Sequence, residues 1–374
     1  MTRGRGWLAR VAVSTAALLL AACSSSGPKP TPLEPLTPTI SGRQAWSQRI
    51  APVSFPLVPA VHDGRFVVAA DDGTVIALSA DDGRVLWRAN AGAPITAGVG
   101  SDGRFAAVVT RDNEVVVLEA GEVRWRHRLP ARVASAPLVA GERVFVLAVD
   151  RTVHAFDAID GRWLWRLQRS GEALTLAQAG VVAPHGDTLL VGQGPRLAAV
   201  DPLRGTLRWE VPIATPRGTN EVERLADLVG PPVRVGSVVC ARAFQQAVGC
   251  ADVDRPTQLW SRPSGGTQAV GGDADRLFGA DGSDRVTAWR TSSGEVLWTS
   301  ERFLHRGLSG ALALGPTVVF GDREGQVHWL AAADGKPVLR LPTDGSAVVG
   351  APAATGATVL VVTRRGGLFA FRPV

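Results

Sequence analysis

Charge, helical pattern and metal-binding side chains are all scarce in this chain of 374 residues. Only 20% of the residues are charged and 45% are hydrophobic, a balance that favours one large buried core over disorder. No apolar run reaches the roughly 20 residues that a membrane-spanning helix needs. The formal net charge is only +6, and three of the arginines behind it (Arg3, Arg5, Arg10) sit in a leader expected to be removed. With no basic cluster carrying interleaved aromatics, nucleic acid is excluded as a partner. Six histidines (His62, His127, His154, His185, His305, His328) form no His-x-x-x-His or Glu-x-x-His pair, so no metal site is expected. The Gly-x-Ser-x-Gly elbow and the Gly-x-x-x-x-Gly-Lys-Ser/Thr phosphate loop are missing, and the glycine pair in "GQGPRLAAV" is a weak nucleotide signal. The chain reads as a non-enzyme without a cofactor.

Helix signals are also poor, because 42 glycines and 25 prolines punctuate short Val/Leu/Ala/Phe runs along the whole body. The body is therefore all-β. Before it, "RGRGWLARVAVSTAALLLAACSSS" has the basic, apolar and small-residue order of an export signal. Its end, Leu20-Ala21-Ala22-Cys23, resembles a bacterial lipobox, which implies a signal peptide over 1–22 and an acylated Cys23 as the first mature residue. Ser24 after it suggests sorting to the outer membrane. More than one acyl chain gives stable anchoring, so the protein should be held to a membrane by lipid alone. Residues 23–42, rich in proline, serine and threonine, cannot bury much surface themselves and are expected to form an extended tether.

From 43 to 374 the sequence repeats about every 41 residues: strand, turn, a strand ending Ala-Leu/Phe-Asp, three variable residues, Gly, three more, Trp. Asp157-Gly161-Trp165 and Asp201-Gly205-Trp209 show the full unit. Ser79-Gly83-Trp87 and Arg290-Gly294-Trp298 keep the register, while the copy ending at Trp260 has Pro256 for the glycine, and Leu339 replaces a tryptophan. A glycine fixed between two strands suits a turn needing positive φ. One tryptophan per repeat is the pattern of packing between repeats. The last copy, ending "GGLFAFRPV", stops before its tryptophan, and Trp46 stands upstream with no repeat before it. An eight-bladed β-propeller of four-stranded antiparallel blades follows, its ring closed by the N-terminal strand so that both terminal edges are hidden. Asp71-Asp72 and Asp81-Asp82 read as turn caps. Cys240 and Cys250 flank a hairpin: a three-residue loop over 244–246 would set them opposite each other for a disulfide, a two-residue turn would put them on opposite faces.

The repeat is similar to the PQQ-type propeller repeat, which admits either a calcium-dependent quinoprotein dehydrogenase or a binding module. Beyond the repeat, "EVERLADLVGPPVRVGSVV", "DRVTAWRTSSGEVLW", "FLHRGLSG" and "GDREGQVHWL" resemble the BamB family, from about Trp46 to the C-terminus. That resemblance implies a non-catalytic lipoprotein scaffold of the β-barrel assembly machinery, on the periplasmic face of the outer membrane. It implies docking on the periplasmic POTRA domains of the barrel-inserting subunit BamA, contact with the other subunits, and admits unfolded outer-membrane proteins as a further contact. The family's two contact motifs, Leu-x-Leu-Arg and Arg-Leu-x-Asp-x-Asp, fall here on "LTLA" and "RLADLV". The implied partner-binding residues are thus Leu174, Leu176, Arg224 and Asp227, with Ala177 and Val229 where charged residues are usual. The dehydrogenase alternative lacks the long insertions and the adjacent cysteine pair that such enzymes carry.

Overall fold

The computed structural model describes residues 28–168, 176, 179–216 and 225–373. Thirty-two strands in these residues form eight four-stranded antiparallel sheets and no helix. Seven blades are continuous in sequence, spanning 60–90, 100–128, 138–167, 182–212, 228–263, 271–300 and 312–342. The eighth takes three strands from 353–373 and its outermost from Gly42–Arg49. In each blade the first strand lines the central axis and the fourth lies on the outside. Because the strands alternate in direction, connections between blades share one face of the ring with the turns joining second and third strands. We call this the connection face, and the opposite one the hairpin face.

The Gly–Trp spacing has a packing cause in addition to the turn. Gly83, Gly161, Gly205, Gly294 and Gly335 adopt φ of 71°, 75°, 71°, 68° and 71°. A Cβ on any of them would lie 2.5–2.6 Å from the tryptophan ring of the preceding blade: Trp46, Trp125, Trp165, Trp260 and Trp298 respectively. Each of those indoles also donates its Nε1–H to a backbone carbonyl of the same turn, at Ala80, Ala158, Pro202, Thr291 and Ala332 (2.8–3.0 Å). The interaction is thus one seat used repeatedly, and it locks neighbouring blades together. A bulge beside the tryptophan slot recurs in all eight outer strands. A bulge re-aims a side chain, here towards the next blade.

The seventh blade exchanges volumes across the same pair. Elsewhere the tryptophan faces a smaller residue on the third strand, such as Ala77, Ala155 or Ala288. Here Leu339 faces Trp329, which is fully buried and meets Phe371 edge-on at 5.7 Å. Leu339 in turn abuts Gly42, where a Cβ would come within 2.5 Å of its Cδ2. Gly42 and Trp46 therefore supply both the glycine and the tryptophan that the truncated last repeat lacks. Trp46 pairs with Ala370 in the same register that Trp87 holds with Ala77.

Cys240 and Cys250 stand directly opposite across the three-residue turn 244–246 and form a fully buried disulfide beneath Trp260. Asp72 and Asp82 accept backbone N–H groups two residues on, from Thr74 and Arg84. The tether expected over 23–42 is, in its described part from Pro28, laid against the ring. Thr31 N–H donates to Leu304 O (2.9 Å) and Thr39 N–H to Val338 O (3.0 Å), while Leu33 and Ile40 pack on the cores of the sixth and seventh blades. The segment has too few apolar residues for a core of its own, but enough to use a neighbouring one.

Candidate functional site

Two blade connections converge on the connection face. The one after the third blade carries Leu176, and the one after the fourth carries Asp227. Leu176 N–H donates to Asp227 Oδ2 at 2.8 Å, and Arg151 Nη2 lies 3.6 Å from Asp227 Oδ1. The backbone of Asp227 is fixed as well: its carbonyl accepts from Phe244 N–H (3.0 Å), and the adjacent Leu228 N–H donates to Gly194 O (3.0 Å). Just beyond, Gly180 bridges Val229, and a Cβ on Gly230 would stand 2.2 Å from Gly180 O, so the two loops approach more closely than any side chain there permits. Ser135 Oγ accepts from Gly180 N–H (2.8 Å), tying the third blade to the same junction.

Of the residues implied for partner contact, Leu176 and Asp227 are brought together. Leu174 and Arg224 lie outside the described residues, as do Ala177 and Cys23. Leu176 is half-buried rather than fully exposed. The carboxylate of Asp227 already holds Leu176 N–H, and the charged group beside it is Arg151 of the third blade. Val229 is a buried strand residue, not a surface substitute for a charge.

Arg151 was invisible to motif reading, though the repeat carries a signal for it. The turn between second and third strands places Gly73, Asn113, Gly325 and Gly366 at its left-handed position. Arg151 occupies that position in the third blade with φ of 66°. A bulky residue there costs about 1–2 kcal/mol, and the turn sets its guanidinium 3.6 Å from Asp227 Oδ1.

A second polar cluster is buried between the sixth and seventh blades. Asp322 Oδ2 accepts from Arg306 Nε (2.8 Å) and His328 Nε2 (3.0 Å), and its Oδ1 accepts from the N–H groups of Glu324 and Gln326 (2.9 Å each). The side chains of Asp322, His328 and Arg306 are 0%, 1% and 3% exposed. Burial alone would raise the Asp322 carboxyl, but these donors outweigh it and hold it below the usual carboxylate range. Burial holds the His328 imidazole below its ordinary value, so it donates to Asp322 as a neutral ring. Every partner of this cluster is internal, and the arrangement is structural.

The central channel is a cavity of 520 Å³ lined by the first strands, and the segments leading into them, of all eight blades, with Val58, Ala136, Pro231 and Ala269 typical of its wall. Among the described residues no acidic or basic side chain lines it. Calcium takes six to eight oxygen ligands, usually including carboxylates, so this wall does not fit the calcium and quinone of a dehydrogenase. Among the described residues no three His, Cys, Asp or Glu side chains gather at one point.

The chain matches the family described as outer membrane protein assembly factor BamB over residues 38–95, 71–300 and 301–373. It is 35% identical to the protein of that name from Burkholderia pseudomallei, covering 98% of both chains, and 34% identical to that from Bordetella pertussis, covering 99% of this chain and 98% of that one. The crystal structure of BamB from Moraxella catarrhalis superposes with a TM-score of 0.80 at 23% identity, over 89% of this chain and 100% of that one. The quinohemoprotein alcohol dehydrogenase from Comamonas testosteroni shares the fold at a TM-score of 0.69 and 14% identity, over 88% and 76% of the two chains. The curated relatives are named as assembly factors rather than enzymes, in agreement with the non-enzymatic reading of the sequence. From the repeat, the closed ring and these matches, the chain belongs to the BamB family of outer membrane protein assembly factors.

Proposed function

We propose that this chain is a non-catalytic scaffold of outer-membrane protein assembly, anchored through acylated Cys23 on the periplasmic face of the outer membrane. It docks on the periplasmic POTRA domains of the barrel-inserting subunit through the loops that carry Leu174, Leu176, Arg224 and Asp227. The observation that carries this reading is the bond from Leu176 N–H to Asp227, because it joins two loops about 51 residues apart in sequence into one surface. Asp227, paired with Arg151, acts chiefly by holding that surface in shape, and the apolar side chains of Leu174 and Leu176 supply the contact. Leu176 is half-exposed, and an exposed apolar side chain is otherwise a liability in solution.

The test is copurification from detergent-solubilised outer membranes. Wild-type protein should bring down a large β-barrel protein with soluble periplasmic repeats. Leu174→Asp combined with Asp227→Arg should weaken that association by roughly thirtyfold or more, the effect of losing at least one contact worth about 2 kcal/mol, while the ring stays folded and the melting temperature falls by no more than about a few degrees, the cost of the lost bonds to Leu176 N–H and Arg151. Equal recovery by the double variant would place the docking surface elsewhere.

A further inference from the structure

We propose that residues 28–41 are a strap that delivers the anchored N-terminus to the connection face, turning the face that carries Leu176 and Asp227 towards the membrane. The inference rests on acylation at Cys23. Its path follows from the contacts. Thr31 is held at the connection between the sixth and seventh blades, by Leu304 O and by Arg306 Nη1, which donates to Thr31 O at 3.0 Å. That guanidinium is itself fixed by the buried Asp322. Glu34 pairs with Arg302, and Glu34 O accepts from Arg340 Nη1 (3.1 Å) on the outer strand of the seventh blade. Thr39 then bonds Val338 two residues nearer the hairpin face, and Gly42 enters the closing strand against Leu339. The chain therefore descends the outside of the seventh blade from the connection face to the hairpin face.

The consequence is a short leash with a fixed point of attachment. An undocked segment from Cys23 to Gly42 could span up to about 65 Å at ~3.3–3.6 Å per residue and would leave the ring free to tumble. With Thr31 held, the span from Cys23 falls to about 26–29 Å at most, and it starts from the connection face. That face must then lie near the bilayer surface. The docking loops, on the same face two to three blades away, are held at a set height, whereas the hairpin face points into the periplasm.

The experiment uses full-length acylated protein on vesicles of phosphatidylethanolamine and phosphatidylglycerol that carry a spin-labelled headgroup. A fluorophore is placed by Ser283→Cys on the connection face or by Ser292→Cys on the hairpin face of the same blade; the native disulfide is buried and will not compete. The two sites are about 20 Å apart along the strand direction at ~3.3 Å per residue, so headgroup quenching should be at least about twofold stronger at 283. Leu33→Asp with Ile40→Asp, which removes the two apolar contacts of the strap, should bring the two sites close to equal quenching while the protein remains on the vesicles. Equal quenching in the unaltered strap, or an unchanged difference in the strap variant, would overturn the proposal. Protein that does not sediment with the vesicles at all would overturn the acylation on which it rests.

Discussion

Deleting residues 43–50 should leave a chain without a cooperative melting transition near that of the intact protein. The segment contributes six of the seven residue pairs on the last blade's outer edge, together with Trp46 and Ile50, which are 8% and 7% exposed. Trp46 alone, by its seat on Gly83 and its bond to Ala80 O, should be worth about 3–5 kcal/mol. Several ladder hydrogen bonds at about 1 kcal/mol each bring the loss to the scale of a domain's whole stability, about 5–15 kcal/mol. The strand Gly367–Pro373 would also become a bare edge, so aggregation should accompany the loss. Circular dichroism and differential scanning calorimetry of the truncated and intact chains measure this directly. A truncation that melted within a few degrees of the intact chain would mean that the ring closes without Trp46.

Asp322→Asn should be the most damaging single polar change. It leaves the Arg306 cation, 3% exposed, without its carboxylate, and replaces one acceptor oxygen of a group that meets four donors by an NH2. Breaking one side of a buried pair costs about 3–5 kcal/mol. For a body of about 330 residues that is a fall of roughly 4–7 °C in melting temperature. Glu324, which also contacts Arg306 but is 54% exposed, provides the control. Glu324→Gln should stay within about 1 kcal/mol of the parent, as exposed pairs do. If Asp322→Asn and Glu324→Gln melted alike, the charge of Arg306 would be held by something other than Asp322.

The fold was legible in the sequence because the blade-to-blade contact is a single interaction written many times over. Gly161 under Trp125 and Gly294 under Trp260 are the same seat, so spacing alone revealed the period and the lone Trp46 revealed the closure. Where two residues exchanged roles, as Leu339 and Trp329 did, the sequence offered only a missing tryptophan; the compensation lies on a neighbouring strand. The loops proposed for docking were picked out by resemblance, yet Arg151 was missed, since an arginine in a tight turn looks like any exposed charge until its left-handed conformation is known. The Arg306–Asp322–His328 cluster has no local pattern, because its members come from a blade connection, a turn and a strand. The strap was misjudged for another reason. Composition averages over a segment, and Leu33 and Ile40 act one at a time on a surface that other parts of the chain build.

The role proposed for this chain depends on which of its surfaces meets the partner. Hydrogen–deuterium exchange of the intact protein, alone and saturated with the soluble periplasmic repeats of the barrel-inserting subunit, measures it most directly. The expected result is slowed exchange confined to the connection face, over residues 169–181 and 221–229, with the rest of the channel wall and the turn residues Ile159, Leu203 and Ser292 on the hairpin face unchanged. Protection centred on those hairpin-face turns, with none at 169–181 and 221–229, would contradict it.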